Sequence, residues 1–320
     1  MVFTAIRRSL RRRTIRKAID RVRRSTIRDV MSTYMITIRP DETVVTAATK
    51  MVAETISCLV VVENDRIAGI VTERDFLHKV PLSTDVFRML VRDVMTPKVI
   101  TVSPQTTLVD AVRLMKEHNF RRLVVADGDR LVGIVTQNDL SRLILREFSA
   151  YPAAGELALD TFMTTQLLTA GIKESFAKAR QSMHKRNVGC ILIVDKAHQV
   201  QGIFTEYDVV AQFYEQKGKI VVRELDAFMR KYVQAVPTGT NAFIATRFMI
   251  DRKIRRIPVV DGSRVSGIAT ETDLVRFLYL NLDKILAAAQ RPDADLRRLS
   301  RDMEFAGEFR GDHLKVFTAG

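Results

Sequence analysis

The chain has 320 residues, 47% of them hydrophobic and 28% charged, and carries a formal net charge of +14. That length can bury two ordinary cores or one large one, and the composition excludes a disordered chain. No stretch approaches the roughly 18 apolar residues of a membrane span, and the N-terminus lacks the apolar core of a signal peptide, so the expectation is a soluble cytoplasmic protein.

The charge is concentrated at one end. Residues 1–24 hold ten Lys or Arg against the single acid Asp20, a net +9 that leaves +5 for the rest of the chain. Phe3, Ile6 and Leu10, then Ile15, Ile19 and Val22, fall at helical spacing among these arginines, which predicts a basic amphipathic helix over residues 1–27. Such a helix either packs against the remaining structure with its arginines in solvent or binds an anionic partner. Nucleic acid is the first candidate partner, and a membrane surface ranks last.

Beyond this arm the chain repeats. A phrase Gly-Ile-x-Thr-x-x-Asp occurs at residues 69–75, 133–139, 202–208 and 267–273, with periods of 64, 69 and 65 residues. A second landmark keeps register with it: Met31, Met95, Met163 and Met229 precede the Thr of the phrase by 41, 41, 42 and 41 residues. Four in-register copies of one unit are the reading. In each, a short extended piece such as Thr101-Val102-Ser103-Pro104 leads into a helix-period stretch, as with Leu108, Ala111, Val112 and Met115. An apolar strand (Leu123-Val124-Val125), a turn (Asp127-Gly128-Asp129) and a second strand (Leu131 to Val135) then form a hairpin,. The phrase closes that strand and opens another helix. The unit is β-α-β-β-α, an α+β element of about 60 residues that is too small to stand alone. Pairs of units should share a core. The predicted divisions are a basic helix (1–27), repeats at 28–84, 85–150, 151–219 and 220–280, and an extension (281–320) that matches no repeat but carries a helical piece through Ala289.

The repeated Thr and Asp have two explanations. Thr as helix N-cap with an acid in the first turn is local capping. Alternatively, a carboxylate at a strand end beside a helix N-terminus suits vicinal hydroxyls, while the hydroxyl and free amides suit phosphate. The constancy of Thr72/Asp75, Thr136/Asp139, Thr205/Asp208 and Thr270/Asp273 favours a ligand. A second set alternates: Arg121-Arg122 and Arg255-Arg256 open a strand in repeats two and four, where repeats one and three have Ser57-Cys58 and Gly189-Cys190. Arginines beside a buried strand call for an anion, which would be a ligand phosphate; the alternative is that they snorkel to the surface or pair with acids such as Glu73 or Glu206.

Together with the Met-Ser/Thr openings (Met31-Ser32, Met95-Thr96, Met163-Thr164), the Thr-Val-Ser-Pro strand and the run Arg256 to Asp261, these motifs resemble the cystathionine-β-synthase (CBS) domain over residues 28–280. The resemblance implies two Bateman modules of two repeats each, forming a disc within one chain or by homodimerisation. It further implies clefts for adenosine-containing ligands. Asp75, Asp139, Asp208 and Asp273 would hold ribose. Thr72, Thr136, Thr205 and Thr270, with Ser32, Thr96 and Thr164, would line the same clefts, and Arg121, Arg122, Arg255 and Arg256 would meet phosphates. AMP, ADP or ATP is favoured over S-adenosylmethionine, whose sulfonium is a cation. Three departures bear on the clefts: Arg230 replaces the hydroxyl after Met229, Ala235 stands where the other repeats have Thr, and Gly171-Ile172 replaces a Pro.

No catalytic set is present. His78, His118, His184, His198 and His313 occupy non-equivalent positions, without nucleophile or metal-ligand spacing. Cys58 and Cys190 sit at one equivalent position within apolar runs and read as small buried hydrophobes, with no CxxC spacing for zinc. The expectation is a non-catalytic sensor of adenine nucleotides that passes occupancy to a separate protein. The rival is a scaffold acting on nucleic acid through its basic arm.

Overall fold

Each repeat starts its first helix with a polar cap. A computed structural model describes residues 2–82, 84–148, 157–215, 223–283, 285, 307–310 and 313–315; the side chains of 2–12, 84–85, 307–310 and 313–315 lie outside that description. Thr43, Thr107 and Ser175 accept the backbone N–H three residues on, and Asn241 accepts from Phe243. These caps open α-helices that bury one apolar face, as Leu108, Ala111, Val112 and Met115 do in the second repeat,. After each helix the chain reverses through one left-handed residue: Thr55, Asn119, Asn187 and Lys253, with φ of 54°, 55°, 52° and 53°. None is glycine. Asn tolerates this conformation, whereas Thr55 and Lys253 hold it at a steric cost.

In chain order, a long helix α1 (Val2–Arg24) precedes repeat one, which comprises β1 (Thr37–Ile38), α2 (Val44–Ala53), β2 (Cys58–Glu63), β3 (Arg66–Thr72) and α3 (Glu73–His78). A short helix α4 (Val91–Val94) leads into repeat two, with β4 (Thr101–Val102), α5 (Leu108–Glu117), β5 (Arg122–Asp127), β6 (Arg130–Thr136) and α6 (Gln137–Phe148). Repeat three holds β7 (Thr169–Ala170), α7 (Phe176–Arg186), β8 (Cys190–Val194), β9 (Val200–Thr205) and α8 (Glu206–Glu215). Repeat four holds β10 (Val233–Pro237), α9 (Ala242–Asp251), β11 (Arg256–Asp261), β12 (Arg264–Thr270) and α10 (Glu271–Leu280). The expected β-α-β-β-α unit is present four times. In each sheet the first strand runs parallel to the second, and the second and third form an antiparallel hairpin.

Repeats pair through their sheets. Ser32 and Ile134 exchange backbone hydrogen bonds at 2.9 and 3.0 Å, as do Ile70 and Thr96 at 3.0 and 2.8 Å, which joins repeats one and two. Thr164 with Ile268, and Ile203 with Arg230, do the same for repeats three and four. The two pairs then meet through helices. One core gathers α2 and α3 of repeat one with α7 and α8 of repeat three. A second gathers α5 and α6 of repeat two with α9 and α10 of repeat four, and includes Ile15, Ala18, Ile19 and Val22 of α1. Helix α1 is therefore docked along its second half. Ile15, Ile19 and Val22 are fully buried, worth about 1.5–3 kcal/mol apiece.

The extension departs from expectation. The helical geometry of α10 ends at Leu280, and only Leu282, Asp283 and Ile285 continue it among the described residues; the predicted piece to Ala289 otherwise lies outside them. Further on, β13 (Gly307–Arg310) and β14 (His313–Lys315) form a hairpin on the free edge of β10, pairing Ala235 with Gly307. Ala235 is buried, while its equivalents Thr37, Thr101 and Thr169 are exposed. The missing hydroxyl at that position thus reflects a covered strand. The repeat boundaries predicted at 150/151 and 219/220 lie outside the described residues.

Candidate functional site

The two landmarks that keep register in the sequence meet across each pair of repeats. A Cβ placed on Gly69 would come within 2.7 Å of Met95 Sδ, and one on Gly133 within 3.0 Å of Met31 Sδ. Gly202 and Gly267 face Met229 and Met163 in the same way. Glycine is needed here because the opening segment of one repeat crosses directly over the phrase of its partner. That crossing makes a cleft at each phrase, roofed by the partner's opening segment.

Within every phrase the acid finishes the helix. Asp75 Oδ2 accepts from the Thr72 amide and hydroxyl, both at 2.8 Å, and the Asp139, Asp208 and Asp273 carboxylates repeat the arrangement with Thr136, Thr205 and Thr270 at 2.6–2.9 Å. One carboxylate oxygen and the Thr hydroxyl are therefore spent on capping, the local alternative that the sequence left open. The second oxygen separates the four sites. Asp75 Oδ1 binds Lys79 Nζ at 2.7 Å, and Asp208 Oδ1 lies 3.5 Å from Arg230 Nε. Arg230 also sits over the Tyr207 ring, 5.3 Å from its centroid. Burial pushes the Asp208 carboxyl above its usual range, against the Thr205 hydrogen bond and Arg230. Asp139 and Asp273 have no such cation on Oδ1 among the described residues. Sequence reasoning missed Lys79 as a counter-ion, although its i+4 spacing from Asp75 was visible.

The residue after each Thr points to the centre, where all four repeats meet. Arg121 of repeat two clamps Glu206 of repeat three through both guanidinium nitrogens, and Arg255 of repeat four binds Glu73 of repeat one at 2.7 Å. Arg256 and Arg74 approach Glu206 at 3.6 and 3.8 Å. Burial by itself would raise the Glu206 carboxyl. The charges of Arg121 and Arg256, with the Arg121 hydrogen bond, outweigh it and hold the group at about 2. Two of the four arginines expected at phosphates are thus tied to Glu73 and Glu206. Of the others, Arg122 donates to the Ser57 carbonyl at 2.6 Å, and Arg256 has only its longer approach to Glu206.

Three cavities open around this centre. The first, about 370 Å³, holds Asp273, Thr270 and Thr164 on one wall and all four expected arginines, with Arg74 and Arg276, on the others. The Nε atoms of Arg74 and Arg276 are buried there without a hydrogen bond, Arg74 Nε keeping only its 3.8 Å approach to Glu206. Six guanidinium groups thus line this cavity with two acids, Asp273 and Glu271, while Glu206 and Glu73 pair with Arg121 and Arg255 beside it. The second, about 230 Å³, holds Asp75, Thr72 and Thr96 beside Arg121 and Arg122. The third, about 590 Å³, brings Thr136 and Thr205 to one space with Arg255 and Arg256. Asp139 and Asp208 line none of the three, and Ser32 instead donates to the Tyr34 carbonyl at 2.9 Å. Arg74 and Arg276 were missed because neither belongs to a paired motif; their signal was position, one residue before and three after an Asp of the phrase.

No cluster of three or more metal-ligating side chains occurs among the described residues. His78 and His184 meet across the helical interface, Nδ1 to Nδ1 at 2.6 Å. Burial, then His184 and Arg74, lower the His78 pKa, which favours a neutral ring. No described helix is long and apolar enough to cross a membrane.

Residues 27–82, 91–146, 155–215 and 222–280 each match the family described as CBS domain. An uncharacterised protein of Methanocaldococcus jannaschii is 27% identical over 274 residues, covering 79% of this chain and 61% of that protein, so the chain spans about three-fifths of that relative's length. A second M. jannaschii protein is 28% identical over 193 residues, covering 57% of this chain and 68% of that one. Among solved structures, an M. jannaschii protein proposed as an archaeal homologue of γ-AMPK superposes with a TM-score of 0.70 at 18% identity, covering 79% of this chain and 99% of that one. A conserved protein of Pyrococcus horikoshii gives 0.55 at 19% identity over the same shares. Both share the fold.

Proposed function

The chain belongs to the CBS-domain family, and from that membership we propose a regulatory module that takes an adenine nucleotide, with the Asp273 cleft as its principal site. One observation carries the reading. Asp273 lines a cavity of ligand size with one carboxylate oxygen uncommitted, among guanidinium groups that include two buried Nε donors without a hydrogen bond. The free oxygen suits ribose hydroxyls, and the guanidinium wall suits a phosphate chain. Thr164 adds a hydroxyl from the roofing segment. A polyanion fits this wall better than the cationic sulfonium of S-adenosylmethionine, so AMP, ADP or ATP is the ligand class.

The cleft at Asp75 is the second choice, because Lys79 already neutralises its acid. The cleft at Asp208 is the weakest for ribose, because Arg230 lies on the carboxylate. Occupancy at Asp273 would act on the centre through Arg121 and Arg255, which line that cavity and also hold Glu206 and Glu73. Binding that recruits these arginines favours a changed arrangement of the two modules, and a partner protein that distinguishes the arrangements would read it.

A second reading rests on α1. Arg13, Arg16, Lys17 and Arg24 stay exposed on its solvent side while Arg21 and Arg23 pair with Glu147 and Asp283. That face suits a nucleic-acid backbone. The test of the principal reading is calorimetry with AMP, ADP and ATP. Asp273→Asn is expected to weaken binding at least tenfold with an unchanged melting temperature, since the amide oxygen can still cap Thr270. Equal affinity in wild type and variant would remove Asp273 from the site.

A further inference from the structure

Helices α3 and α7 meet across the module boundary through three polar contacts. Buried Arg180 donates to the carbonyls of Phe76, Leu77 and Val80, and Arg74 donates to the Asn187 carbonyl at 3.2 Å. The rings of His78 and His184 meet Nδ1 to Nδ1 at 2.6 Å, with centroids 4.7 Å apart. Both guanidinium groups keep their charge through the neutral range, so only the imidazole pair changes charge between about pH 5 and 8. The residues six after the Thr of the other phrases are Arg142, Ala211 and Arg276. No other repeat can make this contact.

Two ring nitrogens in contact hold one proton between them, so one ring donates and the other accepts. Burial assigns the roles. His78 Nε2 is buried without a hydrogen bond, and a lone pair stays unmet in an interior more readily than an N–H does. His78 therefore carries its proton on Nδ1 and donates, while His184, which is exposed, accepts on Nδ1 and carries its own proton on Nε2. Neither ring can take a further proton in place. On His184 Nδ1 it would set two N–H groups against each other. On His78 Nε2 it would make a buried cationic N–H without an acceptor. A proton enters only when the rings part.

We propose that the His78–His184 pair is a proton-operated latch between the two modules, closed while both rings are neutral and released by acid. The neighbouring charges agree with the geometry. Burial is the largest reason that His78 lies below its ordinary value of 6.5, and His184 of α7 and Arg74 of α3 add to it. Against them stand Glu206 of α8, already ringed by Arg121, Arg256 and Arg74, and Asp75 of α3, already paired with Lys79. Lys185 and Arg186 share the last turn of α7 with His184 and are cations as well. Because the folded value is depressed, the latch is fully closed above 6.5 and weakens as pH falls through 6.5 toward the folded value,. The seam between repeats two and four holds no such pair among the described residues, so acid loosens one seam and spares the other. Nothing in this latch depends on a nucleotide.

The experiment is hydrogen exchange on the full chain without nucleotide, corrected for the intrinsic rate, at about pH 7.5 and about pH 5.5. Protection of α3 and α7 should fall roughly three- to tenfold at the lower pH, while that of α5 and α10 changes little. The double variant His78→Gln/His184→Gln should lose this difference. Imidazole NMR on the wild type should show His78 titrating below 6.5, and His184→Ala should bring it back up. Equal pH sensitivity in the double variant, or at both seams, overturns the proposal. So does a wild-type His78 that titrates at or above its ordinary value, a result that needs no variant to fold.

Discussion

Glu206 and Glu271 occupy the same place in the repeated phrase, directly after Thr at the first turn of a helix, yet their surroundings are opposite. Glu206, fully buried, lies at the junction of repeats one and three and is surrounded by Arg121, Arg256 and Arg74. Glu271 lies at the junction of repeats two and four and accepts one hydrogen bond, from Asn138 at 3.2 Å. Its neighbour Thr272 bonds the neutral Gln137 at 2.7 Å. The wider interfaces follow suit. On the one-three side, buried Arg180 of α7 donates to the carbonyls of Phe76, Leu77 and Val80 at the end of α3, across the module boundary. On the two-four side, Tyr279 reaches the Leu140 carbonyl at 2.9 Å and α1 supplies extra apolar cover. Both helical seams thus have an apolar core, and they differ in what is added to it, buried ion pairs at one and the cover of α1 at the other.

The strongest way to break this contrast is Glu206→Ala. Removing the acid strands Arg121 and Arg256 without an anion, and breaking a buried pair by deleting one partner costs about 3–5 kcal/mol. The expected result is a lower urea midpoint and weaker protection of α3 and α8 in hydrogen exchange. The pH dependence has a definite sign. The folded Glu206 pKa is depressed to about 2 from 4.5, so its stabilisation is fully present above pH 4.5 and is lost as pH falls toward 2,. Glu206→Gln should flatten the stability profile across that window relative to wild type. A parallel profile would show that the arginines do not depend on this carboxylate.

At the seam covered by α1 the corresponding change is Ile19→Ala. Ile19 is 1% exposed and packs into the core shared by repeats two and four. Truncation there leaves a cavity and should cost about 2–4 kcal/mol, read as a lower melting temperature that salt does not alter. Deleting residues 1–24 is for the same reason a poor probe of the basic arm, since it removes four buried side chains. Neutralising Arg13, Arg16, Lys17 and Arg24 is the cleaner test of nucleic-acid binding. Oligonucleotide affinity unaffected by all four changes would dismiss that role.

Much of this architecture is visible in the sequence because it rests on local period and register. The Met and Gly landmarks keep their spacing because they touch across a pair, so the contact is written into the repeat itself. What escapes is pairing without a period. Arg121 and Glu206 are 85 residues apart, and Arg255 and Glu73 are 182 apart; each pair joins different repeats. The arginines announce the need for an anion, but only the stacking of modules decides between a ligand and a glutamate. Ala235 shows the converse. Its substitution reads as a lost ligand contact, yet it answers to a hairpin more than 70 residues downstream. Residues that break a repeat's pattern can be serving a neighbour that the repeat does not contain.

The smallest and most discriminating test is Glu271→Gln, because its sign opposes that of Glu206→Gln. Burial raises the Glu271 carboxyl above its usual range, outweighing the Asn138 hydrogen bond and the charge of Arg255. A raised acid stabilises the fold below its unfolded pKa, and that contribution is lost as pH rises through the folded value. At neutral pH the ionised group is therefore a burden, and the amide can keep the acceptor that Asn138 uses. The expected outcome is a gain of about 0–1 kcal/mol at pH 7 that disappears by pH 4. The same change removes one of two acids from the Asp273 cavity, so ATP should bind a few-fold tighter. A loss of stability at neutral pH, of the size seen for Glu206→Gln, would mean that both glutamates are held as charged partners and that the two seams are closed alike.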